Sequence, residues 1–319
     1  MVHYIKKDTK LKPFCIASVV LCVLAVVLAV GISGSTTNYQ IEKSTVVNLS
    51  SGNDIGLRGE AMYNDTIYLT KDITISNPDA TIGSSRYPFE GVFDGQGHTV
   101  HLTYGAADSD TSLFNYIAPG AIVRNVTFVF DSVRVQGTSY GGIAKINDGT
   151  IENCKVVFEN LEITSEGLFS PLVVVNRGTI NGVVVNGTVS GSVSSDTEGK
   201  ILYGNVCVYN KGTIDAAIAD AEYTGFLSTD MTGYQEGTSH NVGISALRYN
   251  DLEGGETKNA VAIIGDRQIT SDYFDESVEF GTPAEVYSYT KIFDGLGYDF
   301  RHWEVGDDDL LLVIEEGVR

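Results

Sequence analysis

NDGTIENCKV, residues 147–156, is followed by NRGTINGVVV at 176–185 and by NKGTIDAAIA at 210–219. The phrase Asn-x-Gly-Thr-Ile therefore stands three times, each time ahead of an apolar run, with its Asn at 147, 176 and 210. These positions lie 29 and 34 residues apart (176 − 147 and 210 − 176), and YNDLEGGETKNAVAII, with Asn250 another 40 on (250 − 210), reads as a looser copy. Self-similarity at a period of roughly 20–50 residues marks a solenoid, propeller or array. Within each period TIENCKVVFENLEI, TINGVVVNGTVSGSV and LFSPLVVVN are rich in Val, Ile, Thr and Phe, and no stretch keeps a helical period. Two or three short strands with turns in each period make one coil of a parallel β-helix, in which every coil pairs with those above and below. The expected fold is all-β, a single-strand parallel β-helix (β-solenoid), with a transmembrane helix at the N-terminus.

The repeated phrase itself reads as a corner. Its Gly is expected to supply a positive-φ turn, and Thr-Ile to restart a strand with Ile pointing inward. Asn147, Asn176 and Asn210, stacked one coil apart, are expected to form a structural ladder of amide hydrogen bonds along the axis. Alternation places Ile151, Ile180 and Ile214 in one inward column and Cys154, Val183 and Ala217 in another, which makes Cys154 a core residue rather than a nucleophile.

Ahead of the repeats the chain changes character. Residues 1–12 carry Lys6, Lys7, Lys10 and Lys12 against Asp8, a net +3. The run from Phe14 to Ile32, 19 residues, has no charge. A span needs about 20 apolar residues, and a signal-peptide core about 7–15, so the run reads as a signal anchor, with a cleaved signal peptide as the alternative. The lysines place residues 1–12 in the cytoplasm, residues 13–33 across the membrane and the body outside. Residues 34–45 read as a short linker and 46–315 as the β-helix domain, with coils around 60–290 and a closing segment at 291–315.

The net charge of −20 leaves −23 on residues 13–319 once the basic +3 is removed, so the exported body is expected to be repelled by nucleic acid and anionic lipid. Hydrophobic residues at 43% and aromatics at 10% suffice for a sizeable core. Cys15 and Cys22 lie within the apolar run, while Cys154 and Cys207, alone outside it, are either two small core residues or one disulfide.

TIYLTKDITIS (66–76), YPFEGVFDGQGHTVHLTY (87–104), SLFNYIAPGAIVRNVTF (112–128), YGGIAKINDGTIENC (140–154) and the Asn-x-Gly-Thr-Ile copies resemble, in that order, bacterial extracellular β-helix proteins of the GLUG-repeat, pectate-lyase-like type. KIFDGLGYDFRHWEV (291–305) is similar to the segment that closes such proteins. The likeness covers roughly residues 45–315, although the family's Gly-Leu-x-Gly is blurred here to Ser112-Leu113-Phe114-Asn115 and Glu166-Gly167-Leu168-Phe169. It implies a secreted or anchored, adhesin-like surface protein and no particular reaction.

Catalytic signals are few. FDGQGHT at 93–99 resembles a phrase of polygalacturonase β-helices, which makes a polysaccharide hydrolase or lyase the alternative function. The catalytic Asp-Asp, Gly-His-Gly and Arg-x-Lys phrases of those enzymes are missing, and Asp94-Gly95, like Asp294-Gly295, is first of all a turn pair. His98 and His101 are expected on opposite strand faces, Asp307–Asp309 as a solvated acidic loop, and Trp303 as a plug at one end of the stack beside Phe300. No metal or cofactor signature is present. Sequons at Asn48, Asn64, Asn125 and Asn186 carry no further weight in a chain this rich in Asn and Thr.

A ligand site is expected where connections lengthen from coil to coil: TSEG at 164–167, SGSVSSDTEGK at 190–200 and LSTDMTGYQEGTSHN at 227–241. Insertions that collect on one side of a solenoid commonly build its binding surface. The candidates are Asp196, Glu198, Tyr203, Tyr223, Tyr234, Glu236 and His240, a set suited to a neutral glycan or a protein epitope. The expected function is binding or adhesion at the cell surface, with a ligand-free spacer as a third reading.

Overall fold

The computed structural model describes residues 45–107, 112–191 and 199–225, together with the shorter stretches 240–245, 248–251, 253–263, 278–280, 302–305 and 310–312. The basic segment, the apolar run and the linker up to residue 44 lie outside the described residues. Among the described residues no helix is long and apolar enough to cross a membrane.

Three parallel sheets run along the axis. The long sheet has thirteen strands and follows the path Val46–Leu49, Thr66–Leu69, Val92–Asp94, Ile122–Phe130, Thr150–Ile163, Thr179–Gly191, Thr213–Gly225, Glu256–Ile263, Val278–Phe280. The second stacks Phe114–Ile117, Ala144–Asn147, Val173–Asn176, Cys207–Asn210 and Arg248–Asp251, and the third stacks Ser139–Gly141, Gly167–Ser170, Gly199–Gly204 and His240–Ser245. One coil thus runs third sheet, second sheet, long sheet, and then steps up by the strand spacing of about 4.8 Å. This is an all-β parallel solenoid.

The interior is a set of columns. Val123, Ile151, Ile180 and Ile214 share one register, and Val126, Cys154, Val183 and Ala217 another, all with no exposed surface. Two residues three apart cannot both face inward on a straight strand, because side chains alternate. The chain resolves the conflict with one left-handed residue per coil, Asn125, Asn153, Gly182 and Ala216, each at φ between 50° and 62°. The long strands are therefore bent into two facets, and the parity of the second is reset. Cys154 and Cys207 are buried free thiols, not a disulfide, and burial pushes the Cys154 thiol well above its ordinary range.

At the corner between the second and long sheets Asn147 donates from Nδ2 to Asn176 Oδ1 at 2.8 Å, and Asn176 donates to Asn210 Oδ1 at 2.9 Å. All three side chains are fully buried. Asn210 ends the row by donating to the Glu256 carbonyl at 3.0 Å and to Thr257 Oγ1 at 3.3 Å. The looser copy is offset by one residue: Asn210 pairs in register with Asp251, and Asn250 falls opposite Tyr209.

The corner glycines differ from expectation. None of Gly149, Gly178 and Gly212 takes a positive φ. Their requirement is steric: a Cβ at Gly178 would lie 2.1 Å from the Gly149 carbonyl oxygen, and one at Gly212 would lie 2.0 Å from that of Gly178. Each corner rests on the backbone of the one before it, and only hydrogen fits between.

The N-terminal coil is closed by a helix that periodicity did not signal. Gly52–Arg58 is seven residues long, too short for an amphipathic pattern, and its start is marked by Ser51, whose hydroxyl accepts from the Asn53 amide at 3.3 Å. Ile55, and Met62 from the following 3-10 turn Gly59–Met62, join the core. Trp303 is not an end plug. It belongs to an antiparallel pair, Trp303–Val305 with Leu310–Leu312, whose second strand packs on Ile122–Phe130 and Thr150–Ile163. The Trp303 indole nitrogen stands 3.8 Å from where a Cβ of Gly182 would be, and the ring is 1% exposed. The neighbouring outward register Lys155, Val184 and Ile218 is buried as well, at 5%, 3% and 2% exposure. The pair therefore lies on the outside of the long sheet, across its middle coils.

Candidate functional site

The corner between the long sheet and the third sheet changes most along the axis. Long-sheet strands end at Val135, Ile163, Gly191 and Gly225, and these four positions are in register. Third-sheet strands begin at Ser139, Gly167, Gly199 and His240. The connections are thus 136–138, 164–166, 192–198 and 226–239, leaving from one position, equal in the first two coils and longer in each of the next two. The two short ones are tied together: Thr164 Oγ1 donates to the Val135 carbonyl at 2.7 Å, Ser165 Oγ donates to that of Gly137 at 2.6 Å, and the Gly137 amide donates back to Ser165 Oγ at 2.9 Å. These bonds satisfy the turn backbone without added residues.

Asp196 and Glu198 fall in 192–198, and Tyr234 and Glu236 in 226–239, all outside the described residues. His240 opens its strand in register with Gly199. Tyr223 lies in the strand Thr213–Gly225, in register with the core residue Val189. Tyr203 requires a correction. It is fully buried, in a core column with Phe169 and Tyr140, and its hydroxyl bonds Asn205 Oδ1. It cannot meet a ligand on the surface. The signal for this was present in SYGG, GLFS and ILYG: Tyr140, Phe169 and Tyr203 recur at 29 and 34 residues (169 − 140 and 203 − 169), the spacings of the asparagines. A residue that repeats with the corner belongs to the coil, whereas an insertion has no counterpart one period earlier.

The phrase FDGQGHT is a turn. Asp94 accepts from the Gln96 amide at 3.0 Å, from Arg124 Nε at 2.9 Å and from Asn125 Nδ2 at 3.2 Å, which occupies both carboxylate oxygens. Gln96 and Gly97 adopt φ of 50° and 80°, and a Cβ on Gly95 would strike Val126 at 2.4 Å. His98 sits in this turn, ahead of the strand Thr99–Leu102, so the opposite-face argument does not apply to it. The Thr99 amide, and next the His98 ring, draw the Asp72 carboxyl below its ordinary range, with His101 adding to the effect. Among the described residues no group of three or more His, Cys, Asp or Glu is arranged to hold a metal. The segment 307–309 lies outside the described residues.

No family model, curated protein or solved structure matches this chain.

Proposed function

We propose that this chain is a surface-displayed binding solenoid of the GLUG-repeat, pectate-lyase-like type, held in the membrane by residues 13–33, with its body outside and its ligand taken at the corner of growing connections. One observation carries the reading. Four in-register strand ends launch connections that lengthen from 136–138 to 226–239, while the coil beneath stays the same. A scaffold that needed only to span distance would keep the short, bonded turn of 164–166. The added residues have no counterpart in the neighbouring coils, and insertions that collect on one side of a solenoid commonly build its binding surface. Asp196, Glu198, Tyr234 and Glu236 lie in these additions and His240 adjoins them, a set that suits a neutral glycan or a protein epitope rather than a polyanion, given the charge of −20. The carboxylate that pointed to hydrolysis, Asp94, is engaged by three donors, which favours binding over catalysis.

Two measurements test this. Full-length protein in intact cells should stay with the membrane and lose its body to external protease; a soluble product beginning between Ile32 and Thr36 would show a cleaved signal instead. Replacing residues 228–239 with a short Gly-Ser linker should leave the β-sheet circular dichroism and melting nearly unchanged and abolish adhesion of cells displaying the protein. Adhesion that survives on a folded variant removes the corner as the site, and a parent that never adheres leaves the spacer reading.

A further inference from the structure

The long sheet begins on an open edge. Val46–Leu49 stands first on the sheet's path and pairs, in parallel, with Thr66–Leu69 alone. The amides of Thr66 and Thr70 donate to the carbonyls of Thr45 and Leu49 at 2.9 and 3.0 Å, so residues 45, 47 and 49 turn their backbone groups toward that neighbour. Backbone groups alternate in direction along a strand. The amides and carbonyls of Val46 and Asn48 therefore point to the other side, where among the described residues no strand lies.

Sheets commonly blunt such an edge with charge, Pro, a bulge or a covering element. STVVNLSSGN, residues 44–53, carries neither charge nor Pro. The capping helix Gly52–Arg58 rests on the coil beneath, where a Cβ at Gly52 would lie 2.0 Å from the Thr74 carbonyl oxygen, and it leaves Val46 68% exposed. Val46 and Leu57, the latter at 84%, are the two most exposed large apolar side chains among the described residues, and both belong to this terminal coil. The edge is also fixed at its start, because Asp65 Oδ1 accepts from the Thr45 amide at 2.9 Å and from its hydroxyl at 2.7 Å.

We propose that this edge pairs with the same edge of a second copy of the chain, as an antiparallel ribbon whose twofold axis passes at Val47. Centring on Val47 sets Val46 opposite Asn48 of the second copy and Asn48 opposite its Val46, which bonds every edge-facing amide and carbonyl of both strands in about four hydrogen bonds. A shift by one residue either way would set an edge residue against Ser44 or Ser50, outside the strand. Val47, half-buried against the core, meets its own counterpart in the close pair at the axis. The strand is uncharged, so no like charges come opposite one another. Lipid would leave the same backbone groups unbonded. Ile41 to Thr45, IEKST, has no Gly, Pro, Asn or Asp to turn the chain back onto its own edge. The two copies of Thr45 lie four residues apart along the ribbon, about 13 Å, so the segments leading to residues 13–33 start side by side. Held in one membrane, the copies meet at a high effective concentration, for which a short ribbon suffices. That gain rests on the membrane reading proposed above, whereas the strand pairing does not.

The test is co-expression of full-length Val46→Cys and Asn48→Cys proteins in the same cells, oxidation with copper phenanthroline, and mass spectrometry of the linked peptides 44–58. Both substitutions fall on exposed side chains and spare the bonds to Thr66–Leu69. Opposed residues of the ribbon have Cα atoms about 5.5 Å apart, within disulfide reach, while the two copies of residue 46, or of residue 48, lie more than about 7 Å apart and beyond it. The mixture should therefore give links between residues 46 and 48, at least tenfold above the 46–46 or 48–48 links formed by either variant expressed alone. The links are read in intact cells and again on the purified full-length protein, so a failed anchor, seen as soluble protein, is told apart from a failed edge. Lipid, or residues 34–44 of the same chain, seated on the edge would give no such link. The proposal is overturned by a mixture that forms no 46–48 link in either setting, or by single variants that link as readily as the mixture does.

Discussion

Replacing Asn176 by Ala removes two rungs from the buried amide row. Asn176 accepts from Asn147 Nδ2 at 2.8 Å and donates to Asn210 Oδ1 at 2.9 Å, with longer contacts to the carbonyls of Thr213 at 3.3 Å and Gly178 at 3.5 Å. The neighbours are not left bare. Asn147 Nδ2 keeps the Thr179 carbonyl at 3.3 Å, and Asn210 Oδ1 keeps the Gly212 amide at 3.2 Å. Each loses its shorter bond, the Thr213 and Gly178 carbonyls lose a donor, and a small gap opens. Two hydrogen bonds at about 0.5–1.5 kcal/mol each, plus partial stranding of buried groups, give a loss of about 2–4 kcal/mol. With a urea m-value of about 3 kcal/mol/M, the midpoint should fall by on the order of 1 M. Asn181, exposed and outward on the adjoining strand, is the control: Asn181→Ala should cost under about 0.5 kcal/mol. Asn176→Asp adds a sign. A carboxyl buried there has its pKa raised in the folded state, so this variant should be least stable at neutral pH and recover as the pH falls through that raised pKa. Equal midpoints for Asn176→Ala and Asn181→Ala, or a harmless Asn176→Asp at pH 7, would refute the reasoning.

Gly178→Ala forces a Cβ to 2.1 Å from the Gly149 oxygen and should cost about 3 kcal/mol or more in urea unfolding, whereas Gly120→Ala, at φ 86° with open space around it, should cost only about 1–2 kcal/mol. Trp303 is the sole tryptophan, so native fluorescence should be blue-shifted and shielded from acrylamide, and Trp303→Ala should destabilise by about 3–5 kcal/mol; emission typical of a solvated indole would contradict the packed hairpin. Cys154 and Cys207 should resist alkylation in native protein, Cys154 up to about pH 9 because its thiol is held protonated, and both should react fully in denaturant, as read by peptide mass spectrometry.

The coil was legible because its period is written in the same residues that build its corner. Asn147, Asn176 and Asn210 recur with the strands they join, and strand texture fills the intervals. The bend within the long strands was visible only as a parity conflict between Ile151 and Cys154; its solution, a left-handed residue, has no fixed identity, being Asn, Asn, Gly and then Ala. The corner glycines were assigned to the right place for the wrong reason, since a single sequence cannot distinguish a torsional need from a contact with the next coil. Tyr203 was misplaced because it adjoins an insertion, although its spacing matched the core. The Trp303 pair contacts strands more than a hundred residues earlier, and nothing local specifies where such a segment docks.

The position of that terminal pair sets how the molecule answers a pull. Hydrogen bonds between coils all lie along the axis, so tension applied to an end coil would open them in sequence, like a zipper. The Trp303 and Leu310–Leu312 strands instead rest across coils near the middle, bridging Ile122–Phe130, Thr150–Ile163 and Gly182. Tension on the C-terminus is delivered first to this bridge, sideways to the axial bonds and shared among several coils, so the final coils are bypassed until the bridge tears. Single-molecule stretching should therefore begin with one high-force event that Trp303→Ala removes, followed by a train of smaller steps.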